Sequence, residues 1–169
     1  IRSLAQTIHA SIDTRFNPPS LETTLETAAL CKADLTSGMV GEFPELQGIM
    51  GCYYATAQQL PKILAEAIRD HYKPQGASDT LPESLLARII SLADKLDSIA
   101  SLFAVGEKPT GSKDPLALRR AALGIIRLLT DEANFWPNLP LTPLVEAAIS
   151  LQPATANTPA LHAEMMSFF

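Results

Sequence analysis

A long amphipathic segment near the middle of the chain limits the possible folds most strongly. From about Pro82 to Ala104, large apolar residues recur at steps of three and four, which places them on one face of an α-helix. This row contains Leu85, Ile89, Leu92, Leu96, Ile99 and Phe103, and a second row beside it contains Leu86, Ile90, Ala93 and Ala100. A helix with so wide an apolar stripe is expected to be central and mostly buried.

The rest of the chain is divided by helix starts and breaks, and strand signals are almost absent. Leu4, Ile8 and Ile12 share one side of a first predicted helix, and the run from Lys73 to Thr80 is a predicted polar loop. Further helices are predicted to start at the N-cap residues Ser20, Asp114, Thr142 and Thr158 and at the first-turn prolines Pro44 and Pro61. The pattern predicts an all-α fold, an irregular bundle of about seven to nine helices.

Composition narrows the class of protein. The 169 residues suit one domain, and 47% hydrophobic with 18% charged residues supports a sizeable core. The net charge of −5 is unusual for a free-standing nucleic-acid binder, so any RNA contact needs a local basic patch. Cys31 and Cys52 are too few for a disulfide framework, which favours reduced thiols in the cytoplasm. No apolar run is long enough to span a membrane. The first residue, Ile1, and the terminal Phe168-Phe169 suggest a piece cut from a longer protein.

Three segments resemble the β subunit of bacterial-type, two-subunit glycyl-tRNA synthetase. They are CKADLTSGMVGEFPELQGIMGCYYA at 31–55, SLADKLDS at 91–98 and LFAVGEKPTGSKDPLALRRAALGIIR at 102–127. Their length, order and spacing make the resemblance far more specific than a short motif. It covers the middle of the chain, while the two ends are less distinctive.

The resemblance implies a supporting role in making glycyl-tRNA. Residues 1–151 would form a helical domain similar to HD-domain phosphohydrolases, and 152–169 would form a linker and the start of a truncated helix leading to the next domain. The aminoacylation site of the family lies in the α subunit, so this region would be non-catalytic and hold no cofactor, while the full enzyme uses ATP and magnesium. The implied partners are the tRNA for glycine, the α subunit and the remaining domains of the β subunit, in the cytoplasm and without a membrane.

HD-domain enzymes bind a divalent ion through a His-Asp doublet, another histidine and a later aspartate. Here AALCKAD places Lys32-Ala33 where the doublet would lie, while Asp94 matches the later aspartate. The three histidines, His9, His71 and His162, are dispersed in the sequence. One matching carboxylate cannot hold a catalytic metal ion. The resemblance therefore predicts neither a metal site nor a catalytic residue, and an active metal phosphohydrolase is the third alternative.

Two pairs of carboxylates are spaced like a general acid and base. Asp94 and Asp97 lie three apart on the central helix, where a buried carboxylate needs a structural partner such as a lysine or a helix N-terminus. We hypothesise that Lys32 replaces the lost metal charge beside Asp94. Glu42 and Glu45 are also three apart, but no nucleophile or histidine lies near them, and carboxylates at a helix start are the simpler interpretation.

Two glycines and two tyrosines follow these glutamates. Gly48 and Gly51, three apart, indicate close helix packing. Tyr53 and Tyr54 are typical either of half-buried packing or of stacking on a nucleotide base.

Basic residues cluster between positions 108 and 127. The run GEKPTGSK superficially resembles a nucleotide-binding P-loop, but serine precedes lysine and a helix precedes the run, so we reject that interpretation. The RNA backbone is the predicted partner of Lys108, Lys113, Arg119, Arg120 and Arg127. The alternative is that these side chains pair with acidic residues of neighbouring helices, which fits a purely structural module that packs the β subunit against its other domains or the α subunit.

Overall fold

The computed structural model describes residues 1–109, 114–131, 139–154 and 156–169. Within these ranges all regular structure is helical, with nine α-helices, three short 3₁₀ turns and no strand, so the predicted all-α class is confirmed. The helices are α1 (Arg2–Ala10), α2 (Leu21–Leu30), α3 (Gly38–Glu42), α4 (Ile49–Ala57), α5 (Lys62–Asp70), α6 (Leu85–Ala104), α7 (Leu118–Thr130), α8 (Leu141–Ser150) and α9 (Pro159–Phe168). The similarity to HD domains remains an interpretation of the sequence.

Helix α6 is the centre of the bundle, as its apolar stripe predicts. Six helices, α1, α2, α5, α7, α8 and α9, contact it, and its large apolar side chains from Leu86 to Ile99, together with Phe103, are buried. The helix starts at Ser84, whose Oγ accepts a hydrogen bond from the backbone N–H of Ala87 at 3.1 Å. Each fully buried leucine or isoleucine contributes about 1.5–3 kcal/mol, so the stripe on α6 is the main source of stability.

Two predicted helix starts are confirmed by side-chain caps. The hydroxyl of Ser20 accepts the N–H of Thr23 at 3.1 Å at the start of α2. The hydroxyl of Thr158 accepts the N–H of Leu161, also at 3.1 Å, at the start of α9. Both caps satisfy N–H groups that the first turn of a helix leaves without a partner.

The predicted start of α7 at Pro115 is wrong, because the helix begins at Leu118. Ala117 adopts a left-handed backbone conformation with φ of 59°, which ends the preceding turn before the helix starts. Ala117, and not the predicted Asp114, is therefore the N-cap residue, although the Asp114 carboxylate still accepts the N–H groups of Arg119 at 3.2 Å and Arg120 at 3.3 Å. The chain therefore turns back over the helix end instead of running straight into it.

Three other predicted boundaries are also corrected. Pro44 opens only a 3₁₀ turn, and α4 begins at Ile49 because Gly48, with φ of 77°, interrupts the helix. Helix α8 has Pro140 as its N-cap residue, two residues before the predicted N-cap Thr142. Helix α2 ends at Leu30 instead of continuing to about residue 34, because residues 33–36 form a separate 3₁₀ turn.

The last helix belongs to the same core. Leu161 and Met165 of α9 are buried, and the ring of Phe168 lies 5.0 Å from that of Phe103 on α6, measured between centroids. The predicted boundary at residue 151 remains a prediction. None of the described helices combines the length and apolar character that crossing a membrane requires.

Candidate functional site

An ion pair joins two elements that are distant in sequence. Lys32, just after α2, places Nζ 2.8 Å from Oδ2 of Asp94 in the middle of α6. The two side chains are 29% and 13% exposed, so water reaches the lysine more easily than the aspartate. The ammonium also lies 3.9 Å from the centroid of the Tyr72 ring, within the range of a cation–π contact. The hypothesis that Lys32 lies beside Asp94 is confirmed.

His71, at the end of α5, extends this cluster. Because a carbonyl oxygen only accepts, Nδ1–H of His71 donates to Ile68 O at 2.7 Å, which leaves Nε2 with a lone pair. Nε2 is fully buried, has no hydrogen-bond partner and lies 3.9 Å from Oδ2 of Asp94. Burial, reinforced by the nearby Lys32 charge, lowers the pKa of His71 to about 4. The imidazole is therefore neutral at physiological pH.

Sequence reasoning missed this role of His71. The three histidines are dispersed along the chain, and α5 and α6 bring His71 to Asp94 only in the folded structure. A signal was present in the placement of a histidine and a tyrosine directly after an apolar helix, where buried rings need polar partners.

Lys95 is a second buried cation that sequence reasoning did not single out. It is 7% exposed, and its Nζ donates to the carbonyls of Tyr72 and Lys73, both at 3.2 Å, and to Ser91 Oγ at 3.0 Å. Burial lowers its pKa to about 8, while Asp94 opposes that shift. The Lys95 ammonium donates hydrogen bonds to carbonyl groups just beyond the C-terminal end of α5, where the helix dipole favours a positive charge. The signal was a lysine beside the apolar row of α6, between Leu92 and Ile99, on a helix expected to be mostly buried.

Asp34 organises the approach of α4 to α5. It is buried, and its Oδ2 accepts the N–H groups of Gly48 at 2.6 Å and Gly51 at 3.1 Å. A Cβ atom at Gly51 would lie only 2.6 Å from Cγ2 of Ile68, so the predicted close packing at this glycine is confirmed. The role of Asp34 is structural, because its bonds hold the first turn of α4.

The cluster is built for holding helices together and lacks an activated nucleophile. Burial raises the pKa of the neighbouring Cys31 thiol to about 11, which keeps it protonated and unreactive. Among the described residues, no three His, Cys, Asp or Glu side chains lie close enough to hold a metal ion. At Asp94 the positive charge comes from Lys32.

Two of the five predicted RNA-contacting residues bind other parts of the protein. The Arg127 guanidinium donates to the carbonyls of Gly76 at 2.8 Å and Asp79 at 2.7 Å, which ties the polar loop to α7. Lys108 places its Nζ 2.6 Å from Oε2 of Glu164 on α9. Arg127 is therefore occupied by the polar loop, and Lys108 by α9.

Arg119 and Arg120 lie together and exposed at the start of α7. The Arg120 side chain is 56% exposed, and its Nε lies 3.7 Å from Oδ2 of Asp114. Lys113, the remaining predicted contact, lies outside the described residues. Contact of these basic residues with RNA remains a prediction.

A cleft of about 290 Å³ connects the two regions. The start of α7 forms one wall with Arg120, and α6 forms another with Asp94 and Lys95. Gln47, Tyr72 and Gln75 add polar and aromatic groups, and the remaining lining residues are Pro74, Ser98, Leu116, Ala117, Leu118 and Ala121. The exposed arginine therefore lies at a concave, mixed polar and apolar surface whose inner wall is fixed by the buried ion pairs.

Known proteins similar to this chain share one name. The family model described as glycyl-tRNA synthetase beta subunit matches residues 1–169. A glycine–tRNA ligase beta subunit from Phenylobacterium zucineum is 56% identical over 123 residues, 73% of this chain and 18% of that protein. The subunit of the same name from Rhodospirillum centenum is 49% identical over 150 residues, 89% of this chain and 20% of that protein.

The relatives are much longer than this chain. The beta subunit from Rickettsia typhi is 50% identical over 147 residues, 85% of this chain but only 21% of its own length. The chain thus spans about a fifth of the length of the curated relatives it matches. Because the family model covers every residue and the identity is high, the chain belongs to the glycyl-tRNA synthetase β-subunit family.

Proposed function

We propose that this chain is a non-catalytic domain of a glycine–tRNA ligase β subunit that supports glycyl-tRNA synthesis by holding the tRNA. The observation that carries the proposal is the pair of exposed, adjacent arginines, Arg119 and Arg120, at the start of α7, of which Arg120 lines the cleft beside α6. The chain would act with an α subunit that uses ATP and magnesium, in the cytoplasm. The membership of the family supports this assignment.

The proposed phosphate contacts are made by the side chains of Arg119 and Arg120. They are not made by the backbone N–H groups at the N-terminal end of α7. A helix N-terminus attracts anions through its free N–H groups, but here Asp114 accepts the N–H groups of Arg119 and Arg120. A guanidinium can donate two parallel hydrogen bonds to one phosphate. Arg120 lies 3.7 Å from the Asp114 carboxylate and donates a long 3.4 Å hydrogen bond to the Asp114 carbonyl, and because these contacts are exposed, a phosphate can compete for the guanidinium at little cost.

The other predicted contacts take different parts in the proposal. Lys108 would have to leave Glu164 before it reached a phosphate. Arg127 would act indirectly by holding the polar loop that borders the cleft. Lys113 keeps its place in the proposed contact set because it lies close to Arg119 in the sequence.

The test is glycylation by the complete α and β enzyme carrying Arg119→Gln and Arg120→Gln together. Glutamine removes both charges without placing a new carboxylate beside Asp114. We expect kcat/KM for tRNA to fall tenfold or more, about 1.4 kcal/mol, while ATP-dependent glycine activation is unchanged. The logarithm of the tRNA-binding constant should also fall less steeply with the logarithm of the salt concentration. The change in slope should correspond to the loss of about two phosphate contacts.

A matched control removes two exposed positive charges elsewhere. Arg15 and Lys62 have side chains that are 77% and 87% exposed, and neither lies near the start of α7 in the sequence. The Arg15→Gln and Lys62→Gln enzyme changes the net charge equally and should keep wild-type kinetics. If the two double variants behave alike, the arginines of α7 are not RNA contacts.

A second candidate function is that of a structural module that packs against other parts of the enzyme. Five large apolar side chains on neighbouring elements are exposed, an observation that favours an interface with protein. The two candidate functions use different surfaces and are compatible.

A further inference from the structure

A continuous part of the chain between α2 and α4 exposes large apolar side chains. This exposed apolar face consists of Leu35 (47% exposed), Met39 (43%), Phe43 (47%), Ile49 (40%) and Tyr53 (65%). Buried packing is the usual state of such residues, and single exposed ones need no explanation. Five exposed large apolar side chains within 19 residues of the chain do need an explanation.

The five side chains belong to elements that pack on one another. Met39 and Phe43 are four residues apart across α3, and Ile49 and Tyr53 are four apart on α4, so each pair spans one helical turn. Leu35 lies in the 3₁₀ turn of residues 33–36, which contacts both α3 and α4. Asp34, in the same turn, fixes the start of α4 through its two hydrogen bonds. The apolar face therefore has a rigid base.

The charges around this face favour a protein partner. Glu42 and Glu45 flank Phe43 in the sequence and are both exposed. Carboxylates repel the phosphates of RNA, whereas they complement lysine or arginine. Exposed tyrosine and phenylalanine are also enriched at protein interfaces. The chemistry fits a partner segment that is apolar with basic residues at its edge.

The size of the face indicates which polypeptide supplies that segment. Side chains of about 150–250 Å² each, exposed to the stated fractions, give roughly 450 Å² of surface. A stable interface between separate proteins buries about 800 Å² on each partner, while contacts between domains of one chain are smaller and benefit from a high effective concentration. The relatives are about four times as long as this chain, so most of such a polypeptide lies outside these residues.

We infer that the exposed apolar face is covered by another segment of the β polypeptide itself, one that is apolar and carries basic residues. This inference rests on membership of the β-subunit family and is independent of the proposed tRNA contact. The domain then presents two distinct surfaces, a docked apolar face on α3 and α4 and a basic rim at the start of α7.

The test measures how fast N-ethylmaleimide modifies a cysteine placed on the face of the full-length β subunit. The variant is Phe43→Cys, and Val105→Cys, at a position 73% exposed and outside the face, is the matched control. Peptide mass spectrometry reads each position separately, and the rate after urea denaturation normalises intrinsic reactivity. We expect the cysteine at 43 to react at least tenfold more slowly than that at 105 in the β subunit alone. Met39→Cys is the second variant if Phe43→Cys does not fold.

The conditions of labelling distinguish the occupants. Protection in the β subunit alone, without α subunit or tRNA, supports the inference. Protection that appears only when the α subunit is added assigns the face to that subunit and overturns it. Protection that requires tRNA assigns the face to RNA, and equal labelling at positions 43 and 105 under all conditions shows an uncovered surface; both results overturn it too.

Discussion

Removing the ammonium of Lys32 should destabilise the protein more than removing the carboxylate of Asp94. In Lys32→Met, Asp94 stays 13% exposed on a rigid helix, with the lone pair of His71 Nε2 3.9 Å away. Breaking a buried ion pair costs about 3–5 kcal/mol, and the partial exposure of this pair reduces the expected cost to roughly 2–3 kcal/mol. In Asp94→Leu, Lys32 is already 29% exposed and its long side chain can reach water, so we expect about 1 kcal/mol.

Urea unfolding of the 169-residue chain measures these free energies and also those of the double variant. A domain of this size loses about 2–4 °C of Tm per kcal/mol, so Lys32→Met should melt roughly 5–10 °C lower. The double variant should be more stable than Lys32→Met alone, because it leaves no unpaired charge. Lys62→Met, whose side chain is 87% exposed, is the control and should change little.

The reasoning fails if Lys32→Met unfolds at the same urea concentration as the wild type. That result would mean that Asp94 needs no nearby positive charge. A double variant whose loss equals the sum of the single losses would show that the two side chains do not interact energetically, despite their 2.8 Å separation.

Two further predictions follow from neighbouring contacts. Because folding lowers the pKa of His71 from 6.5 to about 4, the folded state binds fewer protons than the unfolded one in this window. The stability that His71 provides is then complete above pH 6.5 and is lost as the pH falls towards 4. The loss is roughly 3 kcal/mol. Between pH 6.5 and 4, the free energy of unfolding should therefore fall less for His71→Gln than for the wild type, and parallel curves of this free energy against pH for the two proteins would contradict this. Arg127→Gln should remove the hydrogen bonds to Gly76 and Asp79 and lower the free energy of unfolding by about 2 kcal/mol. Amide hydrogen exchange in residues 73–80 should become faster, and unchanged exchange there would contradict the anchoring role.

The sequence predicted the helices better than their ends. The apolar stripe of α6 depends only on local periodicity, so its position and burial followed from the residues themselves. The starts of α4 and α7 depend instead on left-handed conformations at Gly48 and Ala117. Alanine seldom adopts a positive φ, and nothing in its neighbours indicates one. Such boundaries are set by the tertiary structure around them.

The candidate site was only partly predictable for a related reason. Asp94 and Lys32 emerged from the resemblance to a known family, and their pairing is now explained by contacts of α2 with α6. The local signals at His71 and Lys95 indicate burial, whereas they do not indicate that His71 lies beside Asp94 or that Lys95 binds the carbonyls of Tyr72 and Lys73. Sequence periodicity reports which face of a helix is buried, whereas it does not report what lies opposite that face.

The basic residues of this acidic chain show why the start of α7 is the favoured RNA contact. Several of them are already bound to protein oxygens, which limits their value for phosphate. These are Lys32, Lys95, Arg88 and Arg127 in the interior or half-buried, and Lys108 at the surface. Detaching a buried cation from its acceptors costs more than one phosphate contact returns. Arg119 and Arg120 are exposed and adjacent, and Arg120 lines the cleft, so a phosphate can be bound there without dismantling the interior. On this argument, the buried cations stabilise the domain, whereas the proposed phosphate contacts at Arg119 and Arg120 use exposed charges.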